Sequence, residues 1–212
     1  MRNAIFKITC AAAIISLSLA TAAYSGVQKY PKAEVWGGGP LPYNYRVIDG
    51  MVHVGGHPLN PHMAFENSNR QALDILNYLK SKGVNTIIDL ENTGRIQGRY
   101  SGLLETAGIN RIRVPMHSNK VPTEEEWKKI KEAMEKPVYI HCKWGADRAG
   151  SIIARYLVEE KGYSPKNAWK AVISGGTHSG PIGGLKKCRR YRNLVLFFWP
   201  EAESDEDFRK YY

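Results

Sequence analysis

A cysteine and an arginine enclose five residues in Cys142-Lys143-Trp144-Gly145-Ala146-Asp147-Arg148. An apolar run, Val138-Tyr139-Ile140, precedes them, and a helical pattern follows. The thiol would therefore sit at a strand-to-helix junction, in a loop whose N–H groups can point inward at an anion. A free thiol titrates near ~8.5 and is a poor nucleophile while protonated. Loop amides, the helix N-terminus and the Arg148 guanidinium would all favour the thiolate. Arg148 can also grip two oxygens of a phosphoryl group. Phosphoryl transfer needs in-line positioning and charge stabilisation above all. The expected chemistry is attack of Cys142 on phosphorus, giving a phosphocysteine that water then hydrolyses.

The other loop residues divide into binding and proton-transfer roles. The amides of Lys143, Trp144, Gly145 and Ala146 are expected to line the phosphate cup, and Gly145 lets the backbone curl tightly. Trp144 either stacks on a substrate ring or covers the loop. His141 is expected to order the loop by hydrogen bonding. The leaving oxygen needs a proton. Asp147 is the carboxyl group nearest the nucleophile, and its alternative role is to hold loop amides or a basic neighbour. His117 and Lys120, on the segment His117-Ser118-Asn119-Lys120, are further phosphate-binding candidates, with His117 a second possible acid.

Elements that could position this loop are readable from periodicity. Tyr45-Arg46-Val47-Ile48 and Val52-His53-Val54 read as strands around the turn Asp49-Gly50. Ser68 or Asn69 can cap a helix carrying Ala72, Leu73, Leu76 and Leu79 on one face. Val84 to Leu90 is apolar enough for a central strand. A helix near 100–107 should stop at Gly108, and Ile112-Arg113-Val114-Pro115 reads as another strand. Thr123 with Glu126 forms a capping box that opens a helix over 124–135. After the loop, Ala149, Ile152, Ile153, Tyr156 and Leu157 recur at helical spacing up to Gly162. Ser164-Pro165 opens a further helix, and a last helical segment is expected over about 185–198. Strands alternating with helices predict an α/β fold: a central, largely parallel sheet of four to five strands flanked by helices.

Composition narrows the setting. Residues 1–22 have Arg2 and Lys7, a short apolar stretch and Ala20-Thr21-Ala22, the pattern of a secretory signal peptide rather than a membrane span. The expected location is therefore exported, periplasmic or secreted. Residues 23–42 read as an extended arm, 43–200 as one domain, and 201–212 as an acidic tail. The net charge of +10 becomes +8 without Arg2 and Lys7. That balance favours phosphorylated or otherwise polyanionic partners. The basic run Lys186 to Arg192 is either a solvated face, partnered by the acidic tail, or a phosphate-binding surface. No nucleic-acid-reading pattern is present, and oligomeric state is not legible. Beyond the signal, Cys142 and Cys188 are the two cysteines, too few for a disulfide scaffold.

His141-Cys142, five residues and Arg148 together resemble the signature of the cysteine-dependent protein tyrosine and dual-specificity phosphatases. The resemblance runs over about residues 43–175. It includes Gly55-Gly56-His57-Pro58 before a helix, Ile87-Ile88-Asp89-Leu90 and Val114-Pro115-Met116, as in the compact dual-specificity type. Asn119-Lys120-Val121-Pro122 is similar to a segment of plant and fungal atypical members. That branch and the related phytase-like enzymes act on inositol polyphosphates or pyrophosphates as well as phosphotyrosine. The resemblance implies a phosphatase of phosphorylated small molecules or phosphoproteins, with no metal and no organic cofactor. It also places His57, Arg95 and Arg99 on segments near the pocket.

Two positions depart from the family pattern. The family usually has Ser or Thr after the arginine, to help the thiolate leave, and this chain has Ala149, as phosphatases of regenerating liver do. The usual Asp after the Val-Pro-Met strand is missing. An Asp before the arginine resembles myotubularin and Sac-type lipid phosphatases, which supports Asp147 as acid. These departures admit a slow or inactive phosphate-binding pseudophosphatase. A rhodanese-like sulfurtransferase is a more distant alternative, because its loop is generally one residue shorter.

Overall fold

The computed structural model describes residues 28–29, 41–61, 66–174, 185 and 189–212. Residues 1–22, read above as a signal peptide, most of residues 23–42, and Lys186, Lys187 and Cys188 lie outside the described residues. Among the described residues six strands form one sheet in the order β1-β2-β3-β6-β4-β5. They are β1 (Gln28–Lys29), β2 (Arg46–Ile48), β3 (Val52–Gly56), β4 (Thr86–Asp89), β5 (Asn110–Arg113) and β6 (Val138–Cys142). The block β3-β6-β4-β5 is parallel, and β1 and β2 add an antiparallel edge. The sheet is thus wider than expected by the two-residue β1.

The hairpin follows from its turn. Asp49 and Gly50 have φ of 52° and 70°, the left-handed pair that joins two strands with matching twist. Ile48 then faces Val52 across the ladder. Strand β5 begins two residues before the apolar run Ile112-Val114. It is a sheet-edge strand whose Arg111 turns toward Asp89, so hydrophobicity alone misplaces it.

Helices cover both faces because the central strands alternate. Val138 and Ile140 of β6 face one core with Ile88, Ile152, Ile153 and Trp169, while Tyr139 faces the other with Ile87, Leu76 and Tyr100. Helices α1 (Asn69–Ser81) and α2 (Gln97–Ala107) supply the second core. Helices α3 (Glu124–Ala133), α4 (Asp147–Lys161) and α5 (Pro165–Ser174) lie on the opposite side. The capping boxes Ser68/Gln71 and Thr123/Glu126 are both formed, fixing where α1 and α3 start. Gly162 ends α4 at φ 67°.

Within the helical segment expected over about 185–198, residue 185 and residues 189–198 are described. A 3-10 turn, Arg189–Tyr191, leads into a five-residue helix, Arg192–Leu196. Phe198 and Trp199 then pack into the core. The acidic segment after them folds back: Ala202 and Phe208 are buried in the same core. Glu203 pairs with Arg192, and Lys166 of α5 bridges Asp205 and Asp207. No helix among the described residues is long and apolar enough to cross a membrane.

Candidate active site

The chain's nucleophile candidate sits where an open parallel sheet offers a crevice, at the carboxyl end of a central strand. Cys142 ends β6, in register with Gly56 of β3, and is a free thiol, 2 % exposed. The next four residues turn the chain into α4. Asn44 donates its side-chain N–H to the Gly145 carbonyl at 3.2 Å, and the His57 amide donates to the Lys143 carbonyl at 3.2 Å. Gly145 has φ +64°, and a Cβ there would lie 2.1 Å from the Gly55 carbonyl carbon. The loop is therefore closed against β3 at a contact only glycine permits.

Ala146 caps α4 without any side-chain hydrogen bond. Ala146 thus offers no side-chain oxygen to the first-turn N–H groups of α4, an arrangement that suits an anion. Arg148, in that turn, is held from several sides. Its Nη2 donates to Glu91 Oε2 at 2.9 Å, and its Nη1 donates to the carbonyls of Leu90 (3.2 Å) and Met116 (3.1 Å) and to Asn92 Oδ1 (3.2 Å). Burial pulls the guanidinium pKa down, but the Cys142 sulfur and Glu91 outweigh it and hold it above the ordinary value. These acceptors hold the guanidinium in one orientation.

The remaining expected residues are placed as follows. Asp147 is 7 % exposed, and its Oδ1 accepts the Leu185 amide at 2.9 Å. Lys143 and Trp144 are half-buried at the rim. Lys143 Nζ stands 5.7 Å from the Trp144 ring centre, and Trp144 meets Tyr43 edge-on at 5.5 Å. His117 and Lys120 are exposed and joined by an isolated bridge, the Lys120 amide donating to the His117 carbonyl. Ala149 is fully buried, and Ser151 donates to the Leu194 carbonyl at 2.7 Å. Arg95 and Arg99 are engaged by Glu66, and Arg99 also by Asn67 and Asn69.

A buried polar layer lies beneath the loop. His141 Nε2 is 3.0 Å from the Tyr100 hydroxyl, and its ring meets His57 at 4.6 Å. Asp89 accepts both the Glu91 amide and the Arg111 fork. Burial first, then His141, Arg111 and Arg148, push His57 well below its ordinary pKa. Burial also lowers His141, against Asp89 and Glu91. His57, Asp89 and His141 each offer a ligand atom, all within 4.8 Å of one another. Asp89 is committed to Arg111 and His141 Nε2 to Tyr100, while His57 Nε2 and His141 Nδ1 are buried without a hydrogen-bond partner among the described residues.

Three important residues were not singled out in the sequence. Glu91, 1 % exposed, follows the carboxyl end of β4, and that position was the available signal. Asn44, at φ 55°, carries no motif. Arg46 is 1 % exposed, donates to the Asn44 carbonyl at 2.9 Å, and leaves Nε and Nη2 without a partner. Burial lowers its pKa to about 10, opposed by the Cys142 sulfur and then by Tyr139.

A thiol at a strand end, an arginine held by Glu91 six positions on, and the α/β sheet behind them define a cysteine-dependent phosphatase. Residues 63–162, just under half of the chain, match the family described as "Polymorphic toxin system, DSP-PTPase phosphatase", a dual-specificity type of phosphatase domain. Solved structures share the fold. TpbA of P. aeruginosa is 16 % identical over 82 % of this chain and 91 % of its own, with a TM-score of 0.54. PTPMT1 in complex with PI(5)P is 21 % identical over 76 % and 99 %, at 0.52. The core catalytic domain of the PP-IP phosphatase SIW14 from S. cerevisiae is 15 % identical over 77 % and 90 %, at 0.52. No curated protein matches the chain in sequence.

Proposed function

We propose that this chain hydrolyses phosphomonoesters of an anionic substrate outside the cytoplasm, with Cys142 as nucleophile and Arg148 as the phosphate clamp. The observation that carries this reading is the Glu91-held guanidinium of Arg148 on the loop that begins at Cys142. In the first step the Cys142 sulfur forms a bond to phosphorus while the ester P–O bond breaks. The leaving oxygen takes a proton, which we assign to Asp147. Water then attacks the phosphocysteine, releasing phosphate and the thiolate. Throughout, Arg148, the loop amides of Lys143 to Ala146 and the first turn of α4 offset the charge on the equatorial oxygens. His117 and Lys120 stand on the loop reached by Arg148 through the Met116 carbonyl, and would add cationic or hydrogen-bonding contacts.

The substrate class we favour is a phosphorylated small molecule, with phosphotyrosine as the second. The charge of +8 left after residues 1–22 are removed supports a polyanion. Among similar folds, TpbA has been solved with pTyr, and SIW14 is described as a PP-IP phosphatase. The pattern of residues 1–22 supports export. The test is phosphate release from inositol hexakisphosphate, a phosphotyrosine peptide, a phosphoserine peptide and an aryl phosphate. Release that disappears in Cys142→Ser is expected. Tight binding of phosphate with no release from any substrate would instead make this a phosphate-capturing module, as Ala149 and the Asp147–Leu185 contact would favour. Asp147→Asn separates the acid role: it should slow alkyl phosphates far more than an aryl phosphate with an acidic leaving group. Equal loss on both would reduce Asp147 to an anchor for Leu185.

A further inference from the structure

Between the 117–120 loop and the C-terminal segment lies a groove of about 480 Å³ whose lining includes Asn119, Arg189, Arg190, Arg192, Arg209 and Glu203. Four arginines stand against one glutamate there, a net of three positive charges. Glu203 is paired with Arg192. Arg189, Arg190 and Arg209 are exposed and make no ion pair among the described residues. Like charges so gathered repel one another, and without a counter-ion they cost stability.

The groove is fixed relative to the cup at three points. Asn119 belongs to the loop whose Met116 carbonyl accepts Arg148. Leu185 is tied to Asp147 at the start of α4, and Leu194 is tied to Ser151 one turn further along. The arginine-bearing turn between those anchors therefore runs along the N-terminal end of α4. Tyr191, between Arg190 and Arg192, lies close enough to Arg148 to influence its charge.

Taking the phosphatase reading as its basis, we propose that this groove is a second anion subsite. It would seat a remote phosphate of a polyphosphorylated small molecule while another phosphate lies against Cys142. Guanidinium forks match phosphate oxygens in pairs, which lysine or a helix terminus does not. The groove's volume is that of a small-molecule site rather than a flat protein-docking face. It lies outside the nucleophile loop, so it would select substrates by the number and spacing of their phosphates without touching the bond that breaks.

The test uses Arg189→Gln/Arg190→Gln and, separately, Arg209→Gln, leaving the Arg192–Glu203 pair intact. Turnover of inositol hexakisphosphate and of a small aryl phosphate is compared across a salt series. The double variant should lose about tenfold or more in kcat/KM on the hexakisphosphate, mainly through KM. The aryl phosphate should stay within about twofold, and the salt dependence on the hexakisphosphate should flatten. Equal change on both substrates, or none on either, overturns the subsite. A phosphotyrosine peptide that loses as much as the hexakisphosphate overturns the small-molecule assignment. Calorimetric binding of hexakisphosphate to Cys142→Ser, with and without the arginine substitutions, keeps the two readings apart. If turnover is absent but the arginines still set affinity, the phosphatase reading fails and the subsite stands.

Discussion

Gly145→Ala is the substitution that most sharply separates loop geometry from overall stability. At φ +64° an alanine carries left-handed strain of roughly 1–2 kcal/mol. Its Cβ would also fall 2.1 Å from the Gly55 carbonyl carbon and 2.4 Å from the Gly55 oxygen, both backbone atoms in a central strand. To reach ordinary contact, the Cys142–Arg148 loop must lift from β3 by about 1 Å, a displacement that costs on the order of 100-fold in a positioned reaction. The control is Gly162→Ala. It has a similar φ of +67° but nothing within 4 Å of its Cβ, so it carries the strain alone. Gly162→Ala should lower unfolding free energy by roughly 1–2 kcal/mol and leave kcat/KM for an aryl phosphate unchanged. Gly145→Ala should lose about 100-fold in kcat/KM while unfolding cooperatively in urea. Near-normal activity in a folded Gly145→Ala protein would show that the phosphate cup does not depend on the Gly145–Gly55 contact.

Three further outcomes follow from the same geometry. Glu91→Gln removes the buried charge facing Arg148 and should cut kcat/KM about 10- to 100-fold, with weaker inhibition by inorganic phosphate; unaltered phosphate inhibition would mean that Glu91 does not aim the arginine. His57 and His141 are held neutral when folded, so below the ordinary imidazole pKa of about 6.5 the unfolded chain binds more protons, and stability present above that pH drains as pH falls, by up to about 1.4 kcal/mol per unit for each ring. Urea midpoints at pH 7.5 and 5.5 should therefore converge in His57→Gln relative to the parent, and an unchanged gap would assign the acid sensitivity elsewhere. Ala149→Ser places a hydroxyl directly after Arg148 and should raise steady-state kcat while shrinking the first-turnover burst of aryl leaving group; identical burst and kcat would show that breakdown of the phosphocysteine is not limiting.

The local rules of the chain were legible, and the long-range ones were not. The Thr123/Glu126 box, the Asp49-Gly50 turn and the stop at Gly162 each depend on neighbours in sequence, and each forms where its chemistry requires. The strand before Cys142 and the helix after it were equally local. Glu91 reaches Arg148 across 57 residues, and Asn44 reaches Gly145 across 101, so neither leaves a spacing to read. Arg46 reads as a polar residue at a strand start, yet the sheet edge is covered and the guanidinium is buried. The acidic run 201–207 hides the same difficulty: Ala202 and Phe208 bury it in the core, and its charges tie it to Arg192 and Lys166, which lie far off in sequence or carry no motif.

The central claim is that phosphorus passes through the Cys142 sulfur. Rapid acid quench of the enzyme with an aryl phosphate, followed by peptide mass spectrometry, tests it directly. One phosphoryl group should appear on the peptide containing Cys142, form within the first turnover, and be absent from Cys142→Ser. Phosphate release by the parent enzyme with no phosphorylated Cys142 peptide at any quench time, or undiminished release by Cys142→Ser, would contradict the account.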